Sequence, residues 1–289
     1  MNTGYGFRRS EITRRAVFCA AASLGAMPAL AQECRIGPPQ HHKGPPVFLD
    51  YDQFELDASY DQVYYEPLIA RVAQRLASNS EAVRARIGPP HRVAYGPTEI
   101  EKLDIYRTDR AKAPIFVFIH GGNWWLLSAK DSGYAAEMFV KAGAHYVALD
   151  FINVKDAGGD LGVMASQVRR AIAWIHKNAA TFDGDSDRIY VGGHSSGGHL
   201  CGVALVTDWV NDYDVPADVI KGSLCMSGMF DMAPVRLSWR RTYVNFTDSI
   251  VEAMSAQRHI DKLNTPLILT YGTFETPEFQ PRAVILPLR

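Results

Sequence analysis

The sequence predicts an α/β fold, a mostly parallel sheet covered by helices on both faces. Three observations carry that expectation. The runs "PIFVFIH" (114–120), "HYVALDF" (145–151) and "RIYVGG" (188–193) are apolar on both faces, as strands buried between two layers must be. Helical periodicity lies between them: Leu161, Met164, Val168, Ile172 and Ile175 share one face of 161–178. Glycine-rich turns then follow the strands at their carboxyl ends, where open α/β sheets build their sites.

In chain order, "GPPQHHKGPP" (37–46) cannot form regular structure, because proline removes donors and fixes φ. Residues 32–48 therefore read as a linker, and order is expected to begin near Val47, opening a domain at 49–280. Residues 66–85 look helical, and "LDIY" (103–106) is an early strand. Strand 114–120 leads through a glycine-rich turn to a helix over about 129–142. Strand 145–151 precedes helix 161–178, and strand 188–193 precedes a helix reaching about Asp208. The runs "KGSLCMSG" (221–228) and "PLILTYG" (266–272) complete the strands.

Composition excludes several function classes. The chain of 289 residues is 47% apolar and 21% charged, an ordinary globular balance, and can bury one large core. A formal charge of −1 gives nucleic acid or anionic lipid nothing to recognise. The segment "FRRSEITRRAVFCAAASLGAMPALAQ" sets Arg8, Arg9, Arg14 and Arg15 before an alanine-rich apolar run ending in Ala29-Leu30-Ala31. Residues 1–31 thus read as a twin-arginine-type signal peptide, placing the protein in a bacterial periplasm, or in the cytoplasm if the signal is unused. The run is too short and weakly apolar to serve as a stable membrane anchor. Removing it would leave Cys34, Cys201 and Cys225, an odd and widely spaced set that makes no disulfide framework. No His, Cys or acidic residues have zinc spacing, so neither metal nor cofactor is expected. Nothing in the sequence specifies an oligomeric state.

The chemistry concentrates in two glycine-rich turns. Gly193-His194-Ser195-Ser196-Gly197 fits G-x-S-x-G between a strand and a helix, the setting of a nucleophile elbow. So tight a turn lifts the Ser195 hydroxyl above the sheet, and side chains at Gly193 and Gly197 would collide with backbone. Ser196 lacks such a frame, since His194 stands where it would need glycine. The second turn, His120-Gly121-Gly122-Asn123-Trp124, closes strand 114–120. Its amides, together with that of Ser196, are candidate donors to an oxyanion. His120 is read as holding the loop.

Over residues 60–280 the chain resembles the kynurenine formamidase (arylformamidase) group of α/β-hydrolases, close to the hormone-sensitive-lipase-like esterases. The resemblance rests on "YGPTEIEKLDIY", "HGGNWW", "GHSSGGHL", "SGMFDM" and "GTFETPEF". It implies an α/β-hydrolase fold, Ser195 as nucleophile, Gly121, Gly122, Asn123 and Ser196 as the oxyanion hole, and Glu275 as the triad acid. Asp231 is the second candidate acid, better read as fixing a turn. Trp124, Trp125 and Phe274 are candidates to line an apolar acyl or aryl pocket.

The group carries its histidine beyond the acid, and no histidine follows Glu275 here. His259 and His145 belong at the amino ends of strands, about 20 Å from the elbow. His176 falls mid-helix and His91 ahead of the early strands. His120, His194 and His199 are explained as loop-holding, elbow-flanking and helix-packing. The sequence therefore offers no residue well placed to take the serine proton. The tail "QPRAVILPLR" also departs from the amphipathic helix the group has there. The expectation is an aberrant tail over 281–289, from a frameshift or from termination of a shortened chain, with the final strand and helix lacking. The reading is a serine hydrolase of a small carboxylic ester or aryl-formamide, impaired by the missing histidine. Export favours the ester, and the alternative is a hydrolase-like binding protein or a defunct product.

Overall fold

A computed structural model describes residues 38–280 apart from 66, 67, 274 and 277. The signal-peptide and tail expectations, Cys34 and Phe274 lie outside the described residues. Seven strands form one sheet: β1 (His91–Ala94), β2 (Lys102–Tyr106), β3 (Ala113–Ile119), β4 (His145–Leu149), β5 (Gly184–His194), β6 (Gly222–Met226) and β7 (Leu267–Thr270). Their order is β1-β2-β4-β3-β5-β6-β7. The five from β4 to β7 run parallel, while β1 and β2 pair antiparallel at one edge.

Burial explains why this sheet forms. Every residue of β4 is buried, and β3 and β5 contribute Ile115, Val117, Ile119, Ile189 and Val191, each at 0% exposure. Strands hidden on both faces need a helical layer on each. On one face α4 (Leu161–Asn178) packs Met164, Val168, Ile172 and Ile175 into the main core, as its periodicity predicts. Asp160 caps it, accepting the Gly162 amide at 2.7 Å. On the other face α3 (Ala136–Lys141) joins a smaller core of Val83, Tyr106, Phe118, Tyr146 and Ala148, to which α2 (Ile69–Ile87) adds Val83. The helix that follows Ser195, α5 (Ser196–Leu205), is buried throughout, so its small and apolar composition, with glycine at 197, 198 and 202, is that of a helix surrounded by protein.

Shorter elements escaped the sequence reading. They are α1 (Gln53–Ser59), α6 (Trp209–Tyr213), α7 (Met232–Leu237), α8 (Asp248–Met254) and β1. Each is seven residues or fewer, too short to display a period, and β1 shows no buried face. The stretch 129–142 is not one helix. Residues 129–135 form a 3₁₀ turn before α3, because Ser132 Oγ bonds the Ser128 carbonyl at 2.9 Å and Ser128 Oγ bonds Asp131 at 2.8 Å. Among the described residues β7 is an edge strand, and Ile268 there is 62% exposed. No helix among them is long and apolar enough to cross a membrane.

Candidate active site

The sheet order brings the two glycine-rich turns together. β3 and β5 are hydrogen-bonded neighbours with Ile119 opposite Gly193, so the loop after β3 and the elbow after β5 emerge side by side. At the elbow Ser195 has φ 56° and ψ −122°, a conformation that strains any residue with a side chain. The turn is held by the Ser195 amide, which donates to the Met226 carbonyl at 2.8 Å. The two framing glycines are obligatory. A Cβ on Gly193 would stand 2.2 Å from the Gly197 carbonyl oxygen, and one on Gly197 would stand 2.1 Å from that of Ile119. Ser195 leads directly into α5, whose first amides have no intrahelical acceptor.

The facing loop is as constrained. Gly122, Asn123 and Trp124 all have positive φ, at 100°, 56° and 66°. This left-handed run turns the backbone so that the Gly122 carbonyl accepts from the Trp125 and Leu126 amides at 3.0 and 2.8 Å. Among the described residues the amides of Gly122, Asn123 and Ser196 have no protein acceptor. The Trp124 amide is used differently, donating to Ser196 Oγ at 3.1 Å. His120 is buried as a loop holder, its Nδ1 2.9 Å from the Gly121 carbonyl and its ring stacked 4.3 Å from Phe151. Burial pushes its pKa down, against the pull of Asp150.

Above Ser195 lies a cavity of about 400 Å³, which Gly122, Asn123, His194, Ser227, Gly272 and Glu275 help to line. Its apolar wall comes from Ile69, Val72, Ala73 and Leu76 on α2 and from Leu126 and Leu127. Trp124 and Trp125 are not in that lining, contrary to expectation. Trp124 is 2% exposed and packs behind the loop, while Trp125 lies under the Lys155 ammonium, 3.3 Å from its ring centroid. The sequence reading missed the wall from α2 because nothing in local periodicity says which helix covers the strand ends.

Glu275 reaches this cavity, and its Oε2 is buried with no hydrogen-bond partner among the described residues. Asp231 instead caps α7, accepting the Ala233 amide at 3.0 Å, and pairs with Arg258. The histidines divide. His259 lies in a separate groove with Arg169, Asp208 and Glu252, and His145 and His176 bond to the Thr108 amide and the Ser186 carbonyl. His194 alone among the described histidines lines the Ser195 cavity. Its ring is open to the cavity, whose walls partly desolvate the imidazole and lower its pKa, while the Glu275 carboxylate pulls the other way. No hydrogen bond joins Ser195 Oγ to an imidazole among the described residues.

His199 is buried on α5 behind the elbow. Its Nε2 lies 2.9 Å from the Met254 carbonyl and its Nδ1 accepts the Trp124 indole N–H at 3.1 Å. Burial pushes its pKa down to about 4, and the Met254 hydrogen bond opposes the shift. The unfolded chain therefore takes up this proton near pH 6.5 while the folded chain resists until about pH 4. Stability from this group is complete above 6.5 and is lost as pH falls through that window. Melting temperatures should drop between pH 6.5 and 4, and the drop should be smaller in His199→Gln.

One cluster outside the site brings metal-ligand types together, with the side-chain ligand atoms of His41, Asp52 and Glu55 within 4.8 Å. Its groups are already engaged. Asp52 accepts the Glu55 and Gly44 amides and contacts His41, which holds its carboxyl down at about 2, while Glu55 returns the capping bond to the Asp52 amide.

Comparisons with known proteins identify the family and the fold. Residues 103–276 match the BD-FAE family model. The chain is 29% identical over 239 residues to "Kynurenine formamidase" of Danio rerio, an alignment covering 78% of this chain and 79% of that one. It is 29% identical over 199 residues to "Esterase LipC" of Mycobacterium tuberculosis, covering 65% of this chain and 48% of that one. The fold overlays on an esterase from Pyrobaculum calidifontis with a TM-score of 0.59 at 17% identity, over 77% of this chain and 82% of that one. The elbow, the facing amides and the family match together establish that the chain belongs to the BD-FAE family of α/β-hydrolases.

Proposed function

We propose that the protein cleaves small carboxylic esters or aryl-formamides through an acyl-enzyme on Ser195. One observation carries the proposal: a serine held at φ 56° beside acceptor-free amides, on the floor of an apolar cavity. Ser195 Oγ attacks the substrate carbonyl and loses its proton to a base, and the carbonyl oxygen becomes an alkoxide. The amides of Gly122, Asn123 and Ser196, with that of Gly121 beside them, are the donors that would receive its charge. Collapse expels the alcohol or aryl amine, and water then releases the carboxylic or formic acid.

Glu275 is the acid that would orient the base. Its unpartnered Oε2 supports that role and also marks what is lacking, since no imidazole bridges it to Ser195 among the described residues. On this reading, turnover below that of a complete triad is the expected result. The test is a fluorophosphonate probe followed by mass spectrometry of the peptide bearing Ser195, with p-nitrophenyl acetate and N-formylkynurenine assayed in parallel. An adduct on Ser195 and slow acetate hydrolysis are expected. No adduct would overturn the nucleophile and leave a hydrolase-like binding protein, and preference for the formamide would overturn the ester.

The α2 wall sets acyl size. Ala73→Trp should fill the cavity and raise KM for naphthyl esters roughly tenfold, with p-nitrophenyl acetate little changed. Residues 1–31 are read as an export signal, the basis for a periplasmic location. Changing Arg14 and Arg15 to lysine should leave the protein in the cytoplasm when cell fractions are blotted; unchanged export would refute the signal.

A further inference from the structure

We propose that His199 is a positioning residue that locks the oxyanion loop to the nucleophile helix through Trp124. The inference rests on the hydrolase reading only for its catalytic consequence. Asn123 and Trp124 are held at left-handed φ at a cost, and such residues persist only where their surroundings over-determine them.

Trp124 supplies the restraint from four sides. Its amide donates to Ser196 Oγ at 3.1 Å, and its carbonyl accepts the Val154 amide at 2.8 Å. Its indole N–H donates to His199 Nδ1 at 3.1 Å, with the rings edge to face at 85°. The buried Arg240 guanidinium lies 5.2 Å from its ring centroid, tied to the Tyr60 carbonyl at 3.0 Å. An indole N–H can only donate, so Nδ1 of His199 is bare and the proton resides on Nε2, which donates to Met254. Ser196 thus serves twice: its amide is an oxyanion donor, and its hydroxyl holds the opposite loop at a fixed distance.

The charged groups acting on His199 are Arg169 of α4 and Arg240 of the turn at 239–242, and both disfavour a third positive charge there. The imidazole stays neutral through the range in which the hydrolase would work. Protonating Nδ1 would set two donors against each other and release the indole. Neither His199 nor Trp124 lines the Ser195 cavity, so both act through the loop and not on substrate.

The experiment uses His199→Phe, His199→Gln, Trp124→Phe and the Phe/Phe double variant of the full chain. Fluorophosphonate labelling is resolved into a maximal rate and a half-saturating concentration, and amide deuterium exchange is followed across 121–126. Each phenylalanine variant should lower the maximal rate about 10- to 100-fold with half-saturation nearly unchanged, as expected for a lost oxyanion contribution. The double variant should be no worse than either single, because both remove one bond. The Trp124 amide should exchange at least tenfold faster, and His199→Gln should recover most of both effects. Lowering the pH toward 4 should also loosen the loop in the parent and not in His199→Gln. Unchanged exchange in both single variants, or fully additive losses, would overturn the lock. If the parent is never labelled, the hydrolase reading fails and exchange alone decides the lock. If His199→Phe does not fold, Trp124→Phe tests the same bond from its other end.

Discussion

Replacing Ser195 by alanine is expected to abolish the covalent phosphonate adduct and the acyl-enzyme completely, while the protein stays folded. The hydroxyl makes no hydrogen bond that the fold relies on; the residue is held by its amide, which donates to Met226, and by its carbonyl, which accepts from His199. Loss of a nucleophile from a complete triad costs about a million-fold in turnover. The fall in steady-state rate here should be smaller, because no imidazole bridges Ser195 and Glu275 among the described residues. Adduct formation is thus the cleaner measurement. Persistence of labelled peptide 184–205 in Ser195→Ala would assign the chemistry elsewhere, with Ser196 the first place to look.

The second large effect concerns stability. Gly197→Ala should prevent folding or lower the melting temperature by tens of degrees. The new methyl would lie 2.1 Å from the Ile119 carbonyl oxygen and 2.4 Å from that of His120, and both belong to backbone at the end of a central strand. Neither atom can rotate away, so α5 would have to separate from β3. That exceeds about 4 kcal/mol, a large share of the whole stability of a domain. Gly88→Ala is the control. Gly88 has φ 89° and ψ 166°, a region nearly reserved for glycine, but nothing within 4 Å of a new Cβ, so conformational strain of about 1–3 kcal/mol is added without a clash. Similar melting curves for the two variants would show that crowding at the elbow is not what fixes glycine at 197.

Glycine at 193 and 197 was legible because only a missing side chain permits that turn, a constraint local to five residues. The strands around it were legible because burial on both faces leaves an unbroken apolar run, as in "HYVAL" at 145–149. The α2 wall was not, since Ile69, Val72, Ala73 and Leu76 reach the cavity only through the tertiary path of the chain. Trp124 and Trp125 misled for a related reason. An aromatic beside a catalytic loop suits a pocket wall and a buried strut equally, and only the His199 and Lys155 contacts separate the two. The contacts of His199 were hidden as well, because a histidine four residues after Ser195 gives no sign of which neighbour it faces.

The attachment of α2 has its own consequence. Its carboxyl half is fastened, with Ser80 bonded to the Asp131 carbonyl, Arg84 to that of Lys130 and Arg86 paired with Glu137. Its amino half overhangs the cavity and is mostly exposed from 70 to 75. The helix behaves as a cantilever, stiff at its root and compliant at its tip. Lifting the tip breaks few contacts and needs only a fraction of the global unfolding free energy. A staple fixing residue 72 to residue 126 is therefore expected to slow phosphonate labelling of Ser195 by restricting entry to the cavity, with Ser195 itself untouched.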